Sequence, residues 1–276
     1  MKKIFLIVLF LTVFLTNSLF AGAPFVNLEG VGGVAFNPLA YLADSDGEDS
    51  HFKLGETDII GKPRFGGWYV SLDDVKVDWT TIGVADTFFK RLEVSYGYET
   101  IAQDNATTKR KNNFGAKLLL LPENSFATKF LPAISAGSIF KHASNVALGV
   151  DSSGADFYLV ATKLIDQLPR PVLVSTGLLS TKGRVTGVFG FDKDRDEVFF
   201  GNIDVVLPWN FIAGFEYKQG ARYSDFKNAN YWDAHLAWTP NKNLSLILAY
   251  VFAGDYKSSK VTGLGDGVVL SAQYAF

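Results

Sequence analysis

Three histidines, an acidic run and a glycine cluster are the obvious places to look for chemistry. His51, His142 and His235 are far apart, and none has the i, i+4 or close-set partner that a zinc site needs. His235 lies two residues after Asp233. On a strand the two share a face, which makes a carboxylate–imidazole pair able to hold a proton or a plain buried hydrogen bond. No Gly-x-Ser-x-Gly elbow accompanies it, so a barrel lipase or protease using His142 or His235 is the weakest functional reading. Asp192-Lys193-Asp194-Arg195-Asp196-Glu197 opens like a calcium loop. It has Glu197 where the sixth-position Gly belongs and Ile203 where the twelfth-position Glu belongs, so a solvated loop is expected. Gly30-Val31-Gly32-Gly33 lacks the Gly-Lys-Ser/Thr that completes a phosphate loop and reads as a turn or packing element. No Cys is present, which removes thiolate ligands and nucleophiles. No catalytic residue, metal ligand or cofactor is expected.

The more informative chemistry is a set of charges spaced for one face. Successive side chains of a strand point to opposite sides. Leu92, Val94, Tyr96 and Tyr98 oppose Glu93, Ser95, Gly97 and Glu99. Phe211, Ala213, Phe215 and Tyr217 oppose Ile212, Gly214, Glu216 and Lys218. Trp232, Ala234, Leu236 and Trp238 oppose Asp233, His235 and Ala237, and Leu244 to Phe252 alternates likewise. The terminal stretch Val268 to Phe276 has apolar Val268, Leu270, Ala272, Tyr274 and Phe276 on one face. Less regular strands are expected at Phe65–Leu72, Lys76–Ala85, Asn113–Leu121, Pro132–Lys141, Gly154–Leu164, Pro171–Leu179 and Glu197–Val206. Segments of about ten residues that alternate in this way are the signature of a transmembrane β-barrel. A lipid-facing Lys or Arg costs about 2–4 kcal/mol at the bilayer midplane. The charged faces must therefore point inward, which makes Glu93, Glu99, Lys117, Asp204, Glu216, Lys218, Asp233 and His235 candidate lumen residues.

The connections carry an independent signal. Read back from Phe276, long polar loops alternate with short turns: Ala253–Asp266 then Thr239–Asn243, Gln219–Asn230 then Leu207–Asn210, Ser180–Asp196 then Ile165–Arg170. Outer-membrane barrels have short periplasmic turns and long outer loops, whereas a soluble sandwich predicts no such alternation. Pro122–Leu131 is long for an inner turn, and Asp73–Val75 is short for an outer loop. Aromatics make up 14% of the chain. They gather near strand ends, at Tyr98, Phe140, Trp209, Tyr217, Trp238, Tyr250, Phe252 and Tyr274, where interfacial belts sit.

The formal net charge of −2 offers no field for nucleic acid. The first residues read as a signal peptide, residues 1–21: Lys2 and Lys3, an apolar stretch from Ile4 to Leu15, then small residues for cleavage after Ala21 or Ala23. Residues 24–62 do not alternate. They are expected to form a Gly-rich N-terminal plug or a periplasmic extension, with the barrel over residues 63–276. The fold class is all-β: a transmembrane antiparallel up-and-down barrel of about 12 strands, the even count such barrels have.

Several stretches resemble the family known as domain of unknown function 3034. They are Asn27-Leu28-Glu29-Gly30-Val31-Gly32-Gly33-Val34-Ala35-Phe36-Asn37-Pro38, Gly67-Trp68-Tyr69-Val70, Val77-Asp78-Trp79-Thr80, Leu92-Glu93-Val94-Ser95-Tyr96-Gly97, and Tyr231 to Trp238 running into Pro240 to Leu246. The resemblance implies a bacterial outer-membrane barrel and supplies no activity. Tyr274 and Phe276 resemble the aromatic end by which such barrels are recognised for assembly. The expected partners are outer-membrane lipid, lipopolysaccharide, the barrel-assembly machinery and a small solute. The expected function is a passive channel for small or apolar solutes. The alternative is a closed structural or envelope-interaction barrel that handles surface polysaccharide or lipid.

Overall fold

The computed structural model describes residues 25–43, 52–54, 57–104, 106–258 and 260–276. The expected signal peptide, and His51 with residues 44–50 of the expected plug or extension, lie outside the described residues. A small hairpin, β1 (Phe52–Leu54) and β2 (Thr57–Ile60), precedes the main sheet and touches it where Ile60 pairs with Phe88. The main sheet is β3 (Arg64–Leu72), β4 (Val77–Phe88), β5 (Leu92–Gln103), β6 (Lys109–Leu121), β7 (Ala133–Ala143), β8 (Ser153–Ile165), β9 (Val172–Gly183), β10 (Phe191–Val206), β11 (Phe211–Lys218), β12 (Tyr231–Trp238), β13 (Leu244–Phe252) and β14 (Asp266–Ala275). Each strand pairs antiparallel with the next, and β14 returns to β3 in the register Tyr274↔Phe65 and Val268↔Ser71. The result is a closed 12-strand antiparallel barrel, which leaves no free edge to template aggregation.

Burial follows the alternation. In β14, Gly267, Val269, Ser271, Gln273 and Ala275 are buried while Val268, Leu270, Ala272 and Tyr274 face outward. In β13, Ser245, Ile247, Ala249 and Val251 are buried and Leu246, Leu248 and Tyr250 are exposed. An exterior of exposed Leu, Ile, Val and Phe is unsuited to water and matches hydrocarbon. Phe140, Trp209, Trp238, Tyr250 and Tyr274 are all exposed large aromatics. The terminal ring of Phe276 packs edge-on against Phe65, with centroids 5.5 Å apart, so the last residue sits on the closure seam.

The hairpins at the long-loop end run further than their hydrophobicity predicts. β9 continues to Gly183 and β10 begins at Phe191, so Asp192–Glu197 lies on a strand instead of in a solvated loop. β5 and β6 likewise extend to Gln103 and back to Lys109. Beyond the lipid band both faces meet polar surroundings, so the apolar–polar alternation vanishes while the backbone ladder continues. Asp192 does not reach for a cation site. Its Oδ2 accepts Nη2 of Arg184 at 2.6 Å, and Arg184 also reaches Asp225 at 2.9 Å. The long turn after β6 has its own reason: Glu123 accepts the Tyr41 hydroxyl at 2.6 Å and pairs with Lys163 at 2.9 Å.

Candidate functional site: the lumen and its inner segment

Residues 25–43 form hydrogen bonds with strands on all sides of the barrel, a pattern available only from inside it. The Val26 N–H donates to Gln273 Oε1 of β14 at 2.6 Å, and Trp68 Nε1 of β3 donates to the Val26 carbonyl at 2.7 Å. On the opposite wall the Ala35 and Phe36 N–H groups donate to the Glu216 carboxylate of β11 at 2.6 and 3.0 Å. Asn37 Nδ2 donates to the carbonyls of Gly201 and Tyr217. The Ala40 N–H reaches Thr162 of β8 at 2.8 Å, and Ser135 of β7 donates to the Ala40 carbonyl at 2.6 Å. An irregular backbone buried away from water must find such partners, and here barrel side chains supply them.

Glycines make room for this segment. Gly66, Gly83 and Gly97 are register partners across β3, β4 and β5. A Cβ on Gly83 would stand 2.9 Å from the Gly30 Cα, and one on Gly66 3.1 Å from the Val26 carbonyl oxygen. Gly30 itself has φ +87°, a left-handed turn that Gly accepts without strain.

The inward charges meet the same segment. Lys117 pairs with Glu93 at 2.9 Å and donates to the carbonyls of Gly32, Leu39 and Tyr41. Glu93 accepts the N–H groups of Gly32 and Ala43. Glu99 pairs with Lys111 at 2.9 Å, and Lys111 also reaches Glu29 at 3.1 Å. Lys141 bridges Glu29 and Asp156. His235 sits between two carboxylates, with Nδ1 2.8 Å from Asp233 and Nε2 2.7 Å from Asp204. Glu93, Glu99, Lys117, Asp204, Glu216, Lys218, Asp233 and His235 are all buried on the inner face. They do not converge on one point. Glu93 and Lys117 hold Gly32 and the end of the inner segment, Glu216 holds Ala35 and Phe36, and the Asp204–His235–Asp233 group stands on β10 and β12.

Sequence reading missed Lys111, Lys141, Asp156 and Glu29. Lys111 shares the parity of Lys117 on β6, but it sits in the Lys109-Arg110-Lys111 run, which reads as a loop. Glu29 lies in a stretch with no alternation to assign its direction. His142 stands apart from the lumen: its Nδ1 is 2.8 Å from Ser153 Oγ on the exposed surface. No carboxylate joins that pair among the described residues, which a Ser–His relay requires.

At the long-loop end the lumen keeps a cavity of about 60 Å³. The inner segment contributes Leu28 and Phe36 to it, and the wall contributes Val70, Leu72, Trp79, Val251 and Val269. Val185 and Thr186, from the loop after β9, and Leu264 cover it. Thr186 is tied inward, its carbonyl accepting Lys111 at 2.9 Å. Val185 and Thr186 both have positive φ, +48° and +56°, a strained conformation for β-branched residues. In that cover Asp192 is held by the Arg184 guanidinium. Its partial burial alone would raise its pKa, but the pairing and the N–H groups of Asp194 and Lys193 bring it below the ordinary aspartate value.

A closed barrel with an apolar exterior and ionisable side chains lining its interior defines a porin-like outer-membrane β-barrel protein. The profile of the family described as "Protein of unknown function (DUF3034)" matches residues 23–265, and the chain belongs to that family. Among solved structures the chain is similar to a KdgM porin, with TM-score 0.55 and 11% identity over 77% of this chain and 99% of that one. A KdgM porin in complex with disordered oligogalacturonate gives 0.52 at 11% identity over the same shares, 77% and 99%. The outer membrane protein Omp33 of Acinetobacter baumannii gives 0.48 at 10% identity, over 78% of this chain and 98% of that one. At such identities the two KdgM likenesses speak to the fold alone. Among curated proteins no sequence matches.

Proposed function

We propose that this protein is a passive outer-membrane channel for small or apolar solutes, with residues 25–43 as a plug that sets its bore. The observation that supports this most is how the inner segment is held. It is fastened by side-chain hydrogen bonds and ion pairs to the wall, with no ladder of its own to the barrel strands, so it can shift while the barrel stays closed. The cavity beneath the loop cover supplies a resting place for a small solute on that route. In this reading lipid and lipopolysaccharide cover the exterior, and Tyr274 and Phe276 are the end presented to the assembly machinery.

Planar-bilayer recordings of the full chain and of a variant lacking residues 25–43 test the proposal. The full chain is expected to show small conductance steps, and the variant steps several times larger. No conductance from either, with no solute uptake into vesicles, overturns it. That outcome would favour the closed envelope barrel, a reading supported by the lumen's buried Lys117–Glu93 and Lys141–Asp156 pairs.

A further inference from the structure

Four lysines are buried among the described residues: Lys111, Lys117, Lys141 and Lys218. The first three each have a carboxylate within ion-pair distance. Lys218 has neither an ion pair nor a hydrogen bond among the described residues, and it lines the cavity at the long-loop end. Glu29 and Asp156 act on it only from beyond ion-pair distance, and a buried ammonium without a direct partner is costly, whereas the other three lysines are paired directly. Directly opposite Lys218 in the β11–β12 register is Tyr231, which lines the same cavity and whose hydroxyl has no partner. Trp79, also in the lining, has an unpartnered indole N–H. These hydrogen-bond donors of the cavity are thus left over, while most of its other walls are aliphatic or aromatic.

We propose that this cavity is a binding site for a small organic monoanion, a short aliphatic carboxylate. Its head meets Lys218 and Tyr231, and its body packs against Val70, Leu72 and Val251. The single charge follows from Asp233, whose carboxylate also lines the cavity and has one oxygen without a partner. It repels a second negative group. The size follows from the cavity volume of about 60 Å³, which limits the occupant to a few heavy atoms. The proposal rests on the channel reading only for the solute's way in, because binding requires no passage through the barrel.

Saturation-transfer NMR on the folded full chain in detergent micelles, with empty micelles as the blank, separates the two. Propionate, 1-propanol and propylamine serve as probes of equal length. Propionate is expected to bind at least fivefold more tightly than either of the others. Lys218→Met should erase that preference, Lys218→Arg should keep it, and Tyr231→Phe should weaken propionate alone about threefold. Folding of each variant is checked by its heat-dependent mobility on gels. Equal binding of the three probes, or no binding of propionate to the folded wild-type chain, overturns the proposal. Should Lys218→Met fail to fold, the wild-type ranking and Tyr231→Phe decide. A chain that binds propionate but never conducts refutes the channel and keeps the site, and one that conducts without the propionate preference does the reverse.

Discussion

Gly97 lies directly beneath Glu29: a Cβ added to Gly97 would stand 2.5 Å from the Glu29 carbonyl oxygen. The obstacle is backbone, which cannot rotate aside as a side-chain tip can. Valine is otherwise a good strand residue, and Gly97 is central in β5 with Gly83 and Asn113 as partners. Gly97→Val should therefore leave the barrel assembled while pushing the inner segment off the wall. The expected result is a severalfold larger conductance in planar bilayers and new protease cleavage within residues 25–43. Unchanged conductance together with unchanged protease resistance would contradict the packing of this segment against the Gly66–Gly83–Gly97 track.

Lys117 and Glu93 should behave as one unit. Both are about 1% exposed, and both hold backbone groups of the inner segment. Removing one partner of a buried pair leaves an uncompensated charge and costs about 3–5 kcal/mol, whereas removing both is far milder. Lys117→Met alone is expected to destabilise the barrel by about that amount, and Lys117→Met with Glu93→Gln by clearly less than the two single changes summed. Equilibrium urea unfolding from lipid vesicles measures the cycle. Additive effects would mean that the two groups do not interact.

The barrel was legible because lipid enforces a strict rule on each strand. Leu92–Tyr98, Phe211–Tyr217 and Leu244–Phe252 each betray their faces by alternation alone, and the charges opposite them had only one place to go. Where lipid stops, the rule stops. The outer parts of β5, β6, β9 and β10 looked like loops because water accepts polar side chains on both faces. The inner segment was illegible for a different reason. Its backbone is satisfied by Gln273, Glu216, Glu93 and Lys117, residues distant in sequence, and nothing local in Asn27 to Pro38 encodes those partners. Glycines at 66, 83 and 97 could have been aligned only once the strand register was known. Lys218 was visible as an inward charge, but its lack of a direct ion pair emerges only when Lys111, Lys117 and Lys141 are each seen with theirs.

The outward face makes its own quantitative claim. Leu248 is 53% exposed at the middle of β13, between Leu236 and Leu270 on the neighbouring strands. If that surface meets hydrocarbon, Leu248→Arg should cost about 2–4 kcal/mol in bilayer-embedded folding. In a soluble setting an exposed Leu→Arg change would be within about 0.5 kcal/mol of neutral. Unfolding measured in vesicles distinguishes the two, and a near-neutral result would remove lipid from this face.

The loop cover above the cavity should respond to acid and to nothing milder. Asp192 has a folded pKa below its unfolded value because of the Arg184 guanidinium and neighbouring N–H groups. A carboxylate of that kind contributes its full stabilisation above the unfolded aspartate value of about 3.9, and loses it as pH falls through the lower folded value. Arg184 stays charged throughout, since Asp192 and Asp225 outweigh its partial burial and raise its pKa. Hydrogen-exchange protection over residues 184–190 should therefore be flat from pH 7 to about pH 4 and decline below it. Asp192→Asn should show reduced protection already at pH 7 and no further acid step from this site. Because residues 185 and 186 are held in left-handed backbone, the released loop has strain to relieve and should not re-close while the pairing is absent. An Asp192→Asn loop as protected as wild type would show that the other anchors suffice, namely Lys111 and Lys141 at Thr186, Asn228 at Val185 and Asp225 at Arg184.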